Sequence, residues 1–93
     1  MLTYQEIIDL SGLTREEIDA IAEHEHIPEL IAAEMGNYLT ECPNGIPCIK
    51  SMILDDIAVA ERHGDTEHVL HLRRVLTHFI RSHPEHRTAE AGS

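Results

Sequence analysis

Residues 46–82 read IPCIKSMILDDIAVAERHGDTEHVLHLRRVLTHFIRS, and their periodicity decides the fold. At about 100° per residue, Ile46, Ile49, Ile53, Ile57 and Ala60 share one stripe of a helix from about Pro47 to Arg62. His63-Gly64 closes that helix, and Asp65 caps another from about Thr66 to Ser82. The second helix repeats the pattern with Val69, Leu72, Val75, Leu76, Phe79 and Ile80. Strict alternation of apolar and polar residues is absent, and Asn44-Gly45 is the one hairpin-like signal. The stretch therefore predicts two helices joined by a short turn.

The same reading extends toward the N-terminus. Residues Cys42 to Cys48 hold two prolines and Asn-Gly, which makes them a loop. Before it, Pro28 starts a helix that ends near Thr40, with Leu30, Ile31, Met35 and Tyr38 as its expected core stripe. Thr14-Arg15-Glu16-Glu17 is a capping box for a helix reaching His24 or Glu25. Thr3 caps a short helix over Tyr4 to Leu10, which Gly12 stops. The expectation is an all-α protein of about five helices. Two short N-terminal ones form a hairpin-like unit, followed by a three-helix bundle. Residues 1–82 make one helical domain, and residues 83–93 form a polar tail.

Ninety-three residues exclude large doubly wound sheets and repeat arrays. The chain is 42% hydrophobic and 26% charged, as expected of a globular protein. No apolar run approaches the ~18–20 residues that span a bilayer. Residues 1–6, MLTYQE, show neither a basic region nor a long apolar core, so the expected location is the cytoplasm and the thiols are expected reduced.

Charge carries the functional reading. Seventeen acids against seven bases give a net charge of −10. Residues 1–45 contain ten of the acids and one base, Arg15. Glu16, Glu17, Asp19, Glu23 and Glu25 form an acidic face, which suits a protein partner with a basic surface. Gln5 to Ile21 has the helix–turn–helix outline used on DNA, but this acidic surface is repelled by phosphates, so no nucleic acid is expected. Leu70, Met52 and Val59 fall off the core stripes and hint at self-association as a dimer. No glycine-rich phosphate loop, nucleophile elbow or two-cysteine zinc motif is present. The leading expectation is a regulatory or protein-interaction module, and not an enzyme.

A different class is also open. Glu23 and His26 are a Glu-x-x-His pair, and at that one pair the chain resembles the ferritin-like di-iron carboxylate proteins. The resemblance implies Fe, Mn or Zn held at a homodimer interface. Glu23 and His26 would be ligands, Glu34 would bridge from the apolar stripe of the third helix, and His68 or His71 would complete the set. The same residues also read as a solvated helix C-terminus, where the dipole favours histidine. His71 and His78 flank Arg74 on the last helix, a cationic strip suited to receiving the acidic front half. Cys42 and Cys48, with five residues between them, read either as packing residues or as a redox-responsive pair.

Overall fold

A computed structural model describes residues 3–84 and contains five helices among them. They are α1 (Tyr4–Ser11), α2 (Arg15–Glu25), α3 (Glu29–Thr40), α4 (Gly45–Arg62) and α5 (Thr66–Ser82). The all-α expectation holds, and the helix limits agree with the sequence signals to within two residues. Thr3 and Thr14 both complete capping boxes: Thr3 with Glu6 and Thr14 with Glu17. Asp65 caps α5 by accepting from the His68 amide. Gly12 takes the left-handed conformation that stops α1, at φ 73°. Two prolines behave differently from the expectation. Pro28 is the N-cap of α3, and Pro47 lies inside the first turn of α4, which starts at Gly45.

The helices pack around α2 and α4. Helices α3 and α5 each contact both of them, and the longest contact joins α4 to α5. Helix α1 packs chiefly against α3, and the expected hairpin-like unit of α1 with α2 is not confirmed. Nor do the last three helices make a bundle alone, because α2 contributes Ile18, Ala20 and Ile21 to the same core. The molecule measures 43 × 39 × 19 Å, which is two helix layers thick.

The predicted stripes of α4 and α5 are buried. Ile49, Ile53 and Phe79 are fully enclosed, and Ile57, Ala60, Val69, Leu72 and Val75 line the same core. Met52, expected off the stripe, belongs to it, whereas Ile80 faces outward. The larger correction concerns α3. Its buried face is Ala32, Ala33 and Gly36, while Leu30, Ile31 and Tyr38 are 40, 46 and 69% exposed. A Cβ at Gly36 would overlap the Leu13 side chain, so small residues here set how closely α3 approaches its neighbours.

His83 continues the folded body beyond α5. Its ring stacks on Phe79 with centroids 4.7 Å apart, and Nε2 donates to the Gly12 carbonyl at 3.1 Å. This ties the end of α5 to the α1–α2 turn. The rest of the expected polar tail, residues 85–93, lies outside the described residues.

Candidate functional site

The acidic face is assembled on α2, with one exception. Glu16, Asp19 and Glu23 are exposed, and Glu25 is half-buried. Glu17 is only 1% exposed and cannot meet a partner. The capping box explains this: its Oε1 turns back to accept the Thr14 amide at 2.9 Å. Its Oε2 accepts from His78 Nδ1 at 2.8 Å, which ties α2 to α5. Glu17 is therefore a structural carboxylate with both oxygens satisfied, not a docking residue.

Asp19 lies against Glu29 of α3, which also accepts from the Tyr4 hydroxyl and sits 3.8 Å from the Arg15 guanidinium. Burial, followed by the hydrogen bond to Glu29, pushes Asp19 up to about 6. Glu29 is moved the other way, below the usual carboxylate range, because Asp19 and Tyr4 donate to it. The acidic face is thus partly titratable just below neutral pH.

At its far end the face meets a cluster drawn from three helices. His68 of α5 donates through Nε2 to both Glu23 oxygens, at 2.9 and 3.1 Å. His71 stacks on His68, with ring centroids 6.1 Å apart. His24 places Nδ1 2.7 Å from Glu25 and Nε2 3.0 Å from Asp55 of α4. Burial opposes its charged form, but these two hydrogen bonds outweigh it and raise the His24 pKa.

Beneath them lies Asp56, 3% exposed, with Oδ2 buried and lacking a hydrogen-bond partner. Burial, then the nearby Glu23 charge, pushes Asp56 up to about 7, against the opposing influence of His24 and His68. A carboxyl in that setting carries its proton through much of the physiological range. Sequence reasoning missed Asp56, although the pattern held a signal. Residues 49, 52, 53, 56, 57 and 60 share one helical face, and five of the six are apolar.

The metal set proposed from spacing is only partly brought together. Glu23 and His68 are in contact, and His71 is adjacent to His68. His26 is the left-handed C-cap of α2, at φ 58°, and Glu34 lies on the exposed face of α3, away from the buried stripe assigned to it. Among the described residues, no three His, Cys, Asp or Glu side chains are arranged to hold a metal ion. Cys42 and Cys48 are both free thiols. Cys48 is exposed in the first turn of α4, with its amide already bonded to Asn44. The half-buried Cys42 hydrogen-bonds with the Tyr38 phenol and raises the Tyr38 pKa.

No protein-family model matches the chain, and searches of the curated proteins and of the solved structures return no match. Among the described residues, no helix is long and apolar enough to cross a membrane. The functional reading therefore stands on the chain's own chemistry.

Proposed function

We propose that this chain is a cytoplasmic protein-interaction module that self-associates and docks a basic protein surface through the exposed acids of α2. The observation that supports it is the run Glu16, Asp19 and Glu23 along the outward side of one helix in a chain of net charge −10. Glu25 and Asp55 extend the negative field beyond that run, although His24 sits between them and moderates it. Such a surface steers a cationic partner and fixes its orientation more than it supplies raw affinity.

The test is binding of a lysine-rich amphipathic helical peptide to the wild-type chain and to a variant carrying Glu16→Gln, Asp19→Asn and Glu23→Gln. The reading expects affinity to fall steeply between low salt and ~0.5 M salt, where the screening length drops to a few Å. It also expects the triple variant to lose most of that binding while keeping its helical content. Binding indifferent to both salt and the three substitutions would refute the acidic-face docking.

A further inference from the structure

The outward faces of α3 and α5 both expose large apolar residues, Leu30, Ile31 and Tyr38 on α3 and Leu70 and Ile80 on α5. On α3, Leu30 and Glu34 fall on one side, with the C-cap residue Glu41 continuing that side just past the helix end and the exposed Ile31 and Tyr38 flanking it. On α5, Leu70, Arg74 and Arg81 do the same along a shallow hollow of about 380 Å³. Leu70 is 49% exposed.

The two faces are complementary in order as well as in sign. Glu34 and Glu41 are seven residues apart, as are Arg74 and Arg81, so each pair spans about 10 Å of helix. A single offset of forty residues sets Leu30 on Leu70, Glu34 on Arg74 and Glu41 on Arg81. The antiparallel alternative still pairs the charges but separates the two leucines. None of the four charged side chains has an ion-pair partner among the described residues, whereas the adjacent Arg73 is bound to Glu61 at 3.1 Å. Helix α2 carries acids at the same spacing, Glu16 and Glu23, but it has no large apolar residue exposed beside them. Of these two acidic helices, α3 is the one that sets exposed apolar residues beside its acids, as the α5 face requires.

We infer that α3 of one copy docks in parallel on α5 of a second copy, with the leucines in contact and the two Glu–Arg pairs flanking them. This deepens the self-association part of the proposed function and uses none of the α2 acids. One helix pair buries less than the roughly 1,200 Å² of a stable interface, so the contact is weak and depends on concentration. At physiological salt the screening length of about 8 Å lets facing charges outweigh the repulsion between two acidic molecules.

Sedimentation velocity on the full chain, from low micromolar to near-millimolar concentration, tests this directly. The wild type should self-associate. Two charge-reversed variants, R74E/R81E and E34R/E41R, should each weaken association at least tenfold. The variant carrying all four substitutions should recover it, since the pairs are exchanged while the net charge returns to −10. All four positions are exposed, and circular dichroism checks that helicity is kept. E34R/E41R also separates the contact from bulk charge. It makes the chain less acidic, so general repulsion alone would strengthen association where the contact predicts weakening. A wild type that stays monomeric throughout overturns both this interface and the self-association reading. A wild type that associates regardless of these substitutions, or a four-fold variant that fails to recover, overturns this interface alone.

Discussion

Helices α3 and α5 both carry a stripe of large apolar residues at helical spacing, yet they use them in opposite ways. In α5 the stripe is the core: Val69, Leu72, Val75 and Phe79 are buried, and Arg74 and Arg81 face outward. In α3 the fully buried residues are Ala32, Ala33 and Gly36, with Met35 and Leu39 partly buried beside them, while Leu30, Ile31 and Tyr38 point away from the body. The difference teaches that apolar periodicity locates a helix but does not say which side a closely packed neighbour will occupy. Where helices approach closely, the buried face must be made of small residues. An outward face of Leu, Ile and Tyr then remains for contacts beyond the chain.

The comparison can be broken by stability measurements. The largest effect belongs to the α5 core. Phe79→Ala should cost about 3–5 kcal/mol by urea denaturation, while Ile31→Ala, on the outward side of α3, should stay within about 0.5 kcal/mol. Equal losses at the two sites would place the α3 stripe back in the core. A smaller but opposite change tests the close approach itself. Ala33→Leu adds volume where there is no room and should destabilise by about 1–3 kcal/mol, although leucine is a good helix former.

A third prediction concerns Asp56, which faces inward on α4 where α2 and α5 meet it. Its carboxyl moves from 3.8 up to about 7 on folding, so the folded state holds a proton that the unfolded chain gives up. Stability should therefore fall as pH rises from about 4 toward 7 and then level off. The raised pKa of His24 works in the same direction, since its stabilising contribution is present at low pH and is lost as pH rises through the folded value. Asp56→Asn should remove most of the slope, being near neutral around pH 5 and stabilising by roughly 1–3 kcal/mol around pH 8. An unchanged slope in the variant would show that Asp56 does not bear the buried proton.

The smallest effect falls on binding. Asp19 titrates at about 6, so below that pH the α2 face loses a charge. Binding of a basic peptide should weaken several-fold between neutral and mildly acidic pH. Fluorescence anisotropy of the labelled peptide would read this, and a flat profile would remove Asp19 from the contact.

Much of this architecture was legible in the residues. The capping residues Thr3, Thr14 and Asp65 state their roles through local hydrogen-bond chemistry, which needs no tertiary information. The stripes of α4 and α5 were legible because one face of each is apolar and the other charged. Helix α3 was not, because both of its faces are apolar and only its packing partners distinguish them. The site was half legible. Glu16, Asp19 and Glu23 sit where an acidic helix face predicts, but Glu17 turns inward because the capping box directs its carboxylate to Thr14. The pairing of Glu23 with His68 joins residues 45 apart and depends on how α5 crosses α2. Asp56 reads as a surface acid until its apolar neighbours on the same helical face are counted.

The central claim is that the exposed acids of α2 are a docking surface. An NMR titration with a lysine-rich amphipathic helical peptide at low salt tests it most directly, because each backbone amide reports its own surroundings. The account predicts saturable shifts concentrated on Arg15–Glu25 of α2 and on Asp55, reversed by added salt. Shifts confined to the α3 or α5 faces, or none at all, would contradict it.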